Sequence, residues 1–344
     1  MKKPILVIKF GTASITNDIG ELDEGVMAAI AAQVAAIHEA YNVVLVSSGA
    51  VAAGKPYLKN YHHKLSERKA AAAIGNTLLL NKYSQYFSPF GITIAQSLCE
   101  RNHFSNRNQF LQLKKTYEKL WENNVIPIAN ENDVVSNLEL KFSDNDELAT
   151  LIAVGFKASL LLFSTSVPGV LDEHGNLISE LNTTDKKILQ LAKKEKSASG
   201  LGGMTSKLTF TRLANQMGIK AVIFGIKTEN GILKAIKEET GTVCRPQASS
   251  ISARNRWLAS GSLIKGSVKV DEGAGKALKK RNSLLAVGIS EITGEFSQGE
   301  VFEILDEENN VIAVAKSKLS SAELHQKLKT RNLEVAHAND IVLI

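Results

Sequence analysis

The chain is poor in the features that most directly announce a function. Only two of its 344 residues are cysteine, Cys99 and Cys244; they lie far apart and fit no zinc or redox spacing, which leaves them as free structural thiols. No apolar run approaches the roughly 18 residues that span a bilayer. The start, Met1-Lys2-Lys3-Pro4 followed by Ile5 to Ile8, is too short for a signal-peptide core and shows no small-residue cleavage site. These absences predict a cytoplasmic protein with no membrane partner. Also missing are G-x-x-x-x-G-K-[ST], G-x-G-x-x-G and G-x-S-x-G, so the common P-loop, the dinucleotide fingerprint and the hydrolase elbow do not apply. A strong charge excess is missing too. The formal net charge of +6 suits anionic ligands in general, ATP or nucleic acid, without choosing between them. Residues 251–344 carry 13 Lys+Arg against 12 Asp+Glu, a near balance that speaks against a strong nucleic-acid footprint there.

What is present is an ordinary globular composition, 44% apolar and 22% charged, in a chain long enough for two domains. Up to about residue 250, short apolar runs alternate with helical patterns. Ile5 to Ile8 reads as a buried strand, and Leu22, Val26, Ile30, Val34 and Ile37 then recur at helical steps. Strands follow at Val43 to Val46, Ile92 to Ala95, Val125 to Ala129, Leu160 to Phe163 and Ala221 to Phe224. Helices are expected at about 64–87, 105–123, 145–157 and 205–217. The alternation predicts an α/β fold, a mainly parallel sheet covered by helices on both faces, with ligands beyond the carboxyl ends of the strands. After about residue 250 short strand-like runs dominate: Ser267 to Val270, Leu284 to Ile292, Val301 to Leu305, Val311 to Ala315, Glu334 to Val335 and Ile341 to Leu343. Two domains are expected, 1–250 and a small, mostly-β, barrel-like 261–344, joined by Ala248-Ser249-Ser250-Ile251-Ser252.

Three loops carry candidate anion sites. Lys9-Phe10-Gly11-Thr12 closes the first strand, placing an ammonium beside bare backbone; a solvated strand-end lysine is the plain alternative. Ser47-Ser48-Gly49-Ala50 to Gly54 follows the second strand, with uncovered N–H groups that form either a nest or an ordinary turn. Ser199-Gly200-Leu201-Gly202-Gly203-Met204-Thr205-Ser206-Lys207 leads into a helix whose dipole would favour an anion; a flexible connector is the alternative. Two dense polar stretches lie between them. Ser143-Asp144-Asn145-Asp146-Glu147 precedes a helix and is partly explained by capping. Asn130-Glu131-Asn132-Asp133 ends a buried strand, where four polar groups in a row are costly unless they bind something. Two lysines beside an acidic and amide-rich pocket suit phosphoryl transfer by positioning and charge neutralisation.

These stretches, in this order, resemble the amino-acid kinase family, and Asn130-Glu131-Asn132-Asp133 with Asp144-Asn145-Asp146 resembles its glutamate 5-kinase branch. Val268-Lys269-Val270-Asp271-Glu272-Gly273-Ala274 and Gly288-Ile289 to Gly299-Glu300-Val301 are similar to the PUA domain that many members of that branch carry. The resemblance implies ATP-dependent phosphorylation of L-glutamate, the first step of proline biosynthesis. By the same resemblance Lys9 and Lys207 would neutralise the transferring phosphoryl, and Asp144 would hold both ammonium groups. Ser48, Asp133 and Asn145 would bind glutamate, with Asp146 a further substrate-side candidate. Lys9, Gly11, Thr165, Ser166 and Leu201, Gly202, Gly203, Met204, Thr205, Ser206 and Lys207 would lie against ATP. Mg2+ would ride on the ATP phosphates with no protein ligand. Homo-oligomer formation is expected, and proline is a candidate feedback inhibitor.

The chain departs from the family pattern on the nucleotide side: Thr165-Ser166 stands where the family has Thr-Asp, and the glycine-rich loop is about two residues short. Within the same fold, a kinase for N-acetylglutamate or aspartate is the rival reading, and RNA binding through the PUA-like domain is a rival of another class. His62-His63 reads as a solvated loop without a third metal ligand, and Arg101, Asn102, His103 and Arg107 as a polar helix start. Trp121 and Trp257 read as packing residues, and Lys279-Lys280-Arg281 as a solvated helix end.

Overall fold

The computed structural model describes residues 3–105, 107–134, 144–183, 203–246 and 264–343. The chain sorts into two compact units, one of Met1–Glu100 and Leu111–Ser249, the other of Arg101–Phe110 and Ser250–Ile344. Up to Cys244 the elements run β1 (Ile5–Phe10), α1 (Thr12–Ile15), α2 (Glu24–Ala35), β2 (Asn42–Ser47), α3 (Ala50–Gly54), α4 (Leu65–Phe87), β3 (Thr93–Cys99), α5 (Arg101–Ser105), α6 (Arg107–Glu122) and β4 (Val125–Glu131). They continue with α7 (Asn145–Phe156), β5 (Leu160–Thr165), α8 (Met204–Gln216), β6 (Lys220–Gly225), α9 (Gly231–Ile236) and β7 (Thr242–Cys244).

The seven strands form one sheet in the order β3-β4-β2-β1-β5-β6-β7, parallel except for the antiparallel edge strand β7. β1, β2, β4, β5 and β6 are buried along nearly their whole length, as strands covered by helices on both sides must be. One face packs Leu6, Ile8 and Phe10 with Leu162, Val222 and Phe224 against Met27, Ile30 and Val34 of α2 and Leu79, Tyr83 and Phe87 of α4. On β1 the order of connection reverses: β2 lies on one side and β5 on the other. Such a reversal opens a crevice past the carboxyl ends of the strands, and Lys9 stands at that end.

The helices start where local chemistry allows. Asp23 caps α2 by accepting from the Val26 N–H, and Asp144 caps α7 in the same way. α7 is buried almost all round, from Leu148 to Val154, because it packs against β1, β2, β4 and β5. α3 and α4 meet backbone to backbone: a Cβ on Gly54 would stand 1.9 Å from the Ala71 oxygen, and one on Gly75 would stand 1.7 Å from the Ala50 oxygen. Only glycine permits that approach, and it fixes the loop that follows β2.

In the second unit, β8 (Ile264–Val270), α10 (Glu272–Lys279), β9 (Leu284–Leu285), β10 (Ile289–Gly294), β11 (Val301–Leu305), β12 (Val311–Lys316), α11 (Ser321–Gln326), β13 (Glu334–Ala336) and β14 (Ile341–Leu343) follow one another. They build a five-stranded sheet, β10-β8-β11-β12-β14, and a two-stranded one, β13-β9, around an apolar core with Phe296 stacked on Phe302. The run Leu284 to Ile292, expected as one strand, is broken by a 3-10 turn at Ala286–Gly288. There the chain passes so close to α10 that a Cβ on Gly288 would lie 2.5 Å from the Ala274 Cβ, and the Gly288 carbonyl accepts from the Asp271 N–H. Ala248 to Ser252 lies outside the described residues.

Alanine exceeds glycine by about 1 kcal/mol in helix propensity. Gly75→Ala is nevertheless expected to lose about 1–3 kcal/mol of stability in urea unfolding, because the added methyl separates α3 from α4. An unchanged unfolding midpoint would contradict the close contact.

Candidate functional site

Lys9 is the only charged residue of β1 and is just 3% exposed, so its ammonium group needs a partner within the protein. The partner is Asp146: Lys9 Nζ stands 2.5 Å from Asp146 Oδ1. Lys207, from the first turn of α8, reaches the other oxygen, Oδ2, at 3.3 Å. Two ammonium groups that are 198 positions apart in the chain thus converge on one fully buried carboxylate. Burial alone would raise the Asp146 carboxyl, but the charges and hydrogen bonds of Lys9 and Lys207 together hold it below the ordinary carboxylate range. The Lys207 ammonium is pushed below its usual value, first by burial and then by the Lys9 charge, with Asp146 opposing both.

Asp144 had been expected between the two ammonium groups; the structure puts Asp146 there. Asp144 is the N-cap of α7, and its Oδ1 accepts from the N–H groups of Asp146 (2.9 Å) and Glu147 (3.2 Å). Its Oδ2 accepts from the Ser206 hydroxyl on α8. A capping side chain folds back over the first turn, while Asp146, at the second helical position, lies on the buried face with Thr150 and Ala153. Burial first, and then the Asp146 charge, push the Asp144 carboxyl above its ordinary value. The Asp144–Ser206 bond ties the N-termini of α7 and α8 together. Both carry the positive end of a helix dipole.

On the other side of the pair lies a line of amides. Asn145 Nδ2 donates to Ser48 Oγ (3.0 Å) and to Asn130 Oδ1 (2.9 Å), and Asn145 Oδ1 accepts from the Glu131 N–H at 3.3 Å. Asn130 Nδ2 donates to Asn76 Oδ1 on α4 at 2.9 Å. The polar run at the end of β4 is therefore partly satisfied inside the protein, and the Asn145 amide is held rather than free. Ser48, half-buried after β2, accepts from Asn145 and keeps its own hydroxyl proton to give. Below it Ser47 Oγ pairs with the Tyr83 hydroxyl at 2.8 Å. Asp133 is half-buried in the turn after β4, beside residues 135–143, which are not described. Sequence reasoning overlooked Asn76 and Tyr83; the available signal was a polar residue inside the buried α4 stripe of Ala72, Leu79 and Phe87.

On the expected nucleotide side, Gly11 caps α1, and a Cβ there would come 3.5 Å from Lys9 Nζ. Thr165 ends β5 beside Gly225 and is half-buried; Ser166 is exposed. Gly203 caps α8, Met204 is buried and Thr205 exposed. Leu201 and Gly202 lie outside the described residues, as do Ser143 and Trp257. Elsewhere, Cys99 and Cys244 are buried free thiols raised by burial to about 11 and about 12. Trp121 packs edge-on to Tyr117 and Phe156 while donating to the Val43 carbonyl. His62 and His63 are exposed, and Lys279, Lys280 and Arg281 form the exposed end of α10.

Residues 4–225 match the amino acid kinase family, and residues 266–338 match the PUA domain. Along its length the chain is similar to the glutamate 5-kinase of Dehalococcoides mccartyi strain CBDB1, at 36% identity over 98% of each chain. Identity to the glutamate 5-kinase of Kosmotoga olearia is 36%, over 96% of this chain and 93% of the relative. The glutamate 5-kinase of Aliivibrio fischeri is 31% identical over 98% of each chain. In fold, the carbamate kinase from Giardia lamblia bound to AMP-PNP superposes with a TM-score of 0.53 at 17% identity, covering 72% of this chain and 99% of that one.

The two neighbouring carboxylates should respond oppositely to neutralisation. Asp146, with its folded-state value depressed, contributes stability that is present above the ordinary carboxyl value and is lost as pH falls through the depressed one. Asp144, with its value raised, opposes folding as pH rises from the ordinary value through the raised one. Near pH 7, Asp146→Asn is expected to lose about 3–5 kcal/mol in urea unfolding, because two buried ammonium groups are left unpaired. Asp144→Asn keeps a capping oxygen and is expected to change by less than about 1 kcal/mol. The gap between wild type and Asp146→Asn should shrink below about pH 4.

Proposed function

The chain belongs to the amino acid kinase family, and we propose that it transfers the γ-phosphoryl group of ATP to the side-chain carboxylate of L-glutamate. The products are L-glutamyl 5-phosphate and ADP, and the reaction is the first step of proline biosynthesis. The observation that carries the reading is the convergence of Lys9 and Lys207 on Asp146 at the end of β1. A carboxylate acceptor is already ionised near neutral pH, so no general base is needed. An acceptor oxygen forms the new bond to the γ-phosphorus as the bond from phosphorus to the bridging β-γ oxygen breaks, and its electron pair leaves with ADP. The protein's task is then to bring two anions together and to offset the charge that gathers between them.

In this reading Lys9 and Lys207 offset the phosphoryl charge, and Asp146 aims both. Asp144 holds the N-termini of α7 and α8 together. Ser48 donates to a glutamate carboxylate with Asn145 behind it, and Asp133 takes the α-ammonium group. Gly11, Thr165, Ser166 and the stretch Leu201 to Lys207 form the ATP side. Among the described residues no three His, Cys, Asp or Glu gather as a metal ion would require. Mg2+ enters this proposal on the ATP phosphates, where it would offset their charge. N-acetylglutamate carries no charged amine for Asp133 to pair with. The PUA match and the full-length similarity to glutamate 5-kinases also weigh against that substrate and against aspartate. Division at 1–250 and 261–344, a homo-oligomer, inhibition by proline and a cytoplasmic location belong to the same reading. Among the described residues no helix is long and apolar enough to cross a membrane.

Purified protein should convert glutamate faster than N-acetylglutamate or aspartate in an ATP-coupled assay; faster turnover of either rival would replace the substrate. Lys9→Ala and Lys207→Ala should each lower kcat by about 100-fold or more, as loss of a transition-state charge contact does. Unchanged rates would remove them from the mechanism.

A further inference from the structure

The line of amides has a direction, and Asn76 sets it. Asn76 sits on α4 among Ala72, Leu79 and Tyr83, is 7% exposed, and has a buried Nδ2 with no hydrogen-bond partner among the described residues. An apolar residue would fill this stripe without stranding a donor, so what the carboxamide contributes is its acceptor, Oδ1. That acceptor receives Asn130 Nδ2. With its nitrogen pinned, Asn130 must turn its oxygen to Asn145 Nδ2 and to the Glu131 N–H. Asn145 in turn gives its second N–H to Ser48 Oγ. If Asn130 were released and flipped, its NH2 would face the NH2 of Asn145, two donors in contact, and Asn145 would be unseated from Ser48. With Ser48 Oγ already accepting, its hydroxyl proton must be donated elsewhere, to an acceptor such as a carboxylate oxygen.

We propose that Asn76 is a positioning residue for the amino-acid substrate: through Asn130 and Asn145 it orients the Ser48 hydroxyl as a donor to a substrate carboxylate. This rests on the reading of Ser48 as a glutamate contact. The Lys9–Asp146–Lys207 group is reached through none of these bonds, so Asn76 acts on glutamate affinity and leaves the phosphoryl side unchanged.

The test is steady-state kinetics on the full chain, varying glutamate at saturating ATP and then ATP at saturating glutamate. Asn76→Ala removes the acceptor and should raise KM for glutamate by about tenfold or more, the worth of one hydrogen bond to a charged group. KM for ATP and kcat at saturating glutamate should stay within about threefold, a split that general loosening of the fold would not produce. Asn76→Asp keeps an acceptor for Asn130 and should raise KM for glutamate less than alanine does. Asn76→Leu fills the original volume without an acceptor; the alanine result is expected of it as well, and it replaces alanine if that variant fails to fold. Unchanged KM for glutamate, equal rises in both KM values, or an aspartate variant as impaired as the alanine one would overturn the proposal. A wild-type chain that turns over no glutamate would instead overturn the substrate reading beneath it.

Discussion

A carboxylate with no exposed surface, shared by two ammonium groups, is the interaction on which the arrangement of the first unit depends. Burying three charges is costly, and the attraction between them offsets that cost only when geometry is close and every charge has a partner. Asp146 meets both lysines with different oxygens at the carboxyl end of β1, and the Asp144 carboxylate lies close enough to act on both. The lysines come from β1 and α8 and the carboxylate from α7, so three elements have to be in register for the group to exist at all.

The fold supplies that register by simple means. The sheet reverses its order at β1, the place where a crevice past the carboxyl ends of the strands is expected, and Lys9 stands at that end. α7 is buried all round from Leu148 to Val154, which anchors the polar first turn that precedes this stretch. Asp144 joins that turn to the first turn of α8 through Ser206. On the opposite flank, α4 lies against α3 with no room for a single methyl group. Its Tyr83 and Asn76 reach the ends of β2 and β4. One flank is built from charges and helix ends, the other from neutral amides and hydroxyls.

The second unit has its own core and its own sheets, and near-neutral charge over residues 251–344. Its α10 follows the usual electrostatic grammar of a helix, with Asp271 capping the start and Lys276 and Lys279 near the end. The basic run at 279–281 is accounted for by that helix end.

The sequence alone determined the elements and the loops that matter. Apolar runs of strand length spaced by helical stripes leave little choice but a covered parallel sheet, and polar groups at strand ends mark the active edge because they are costly anywhere else. It could not decide which member of Asp144-Asn145-Asp146 meets the lysines, because adjacent residues at a helix start point in directions set by the cap and by the packing of α7. Nor did it show Asn76, whose one strong hydrogen bond runs to a residue 54 positions away. Spacing along a chain records the period of an element; which side chains meet depends on how elements pack, and that only the tertiary structure decides.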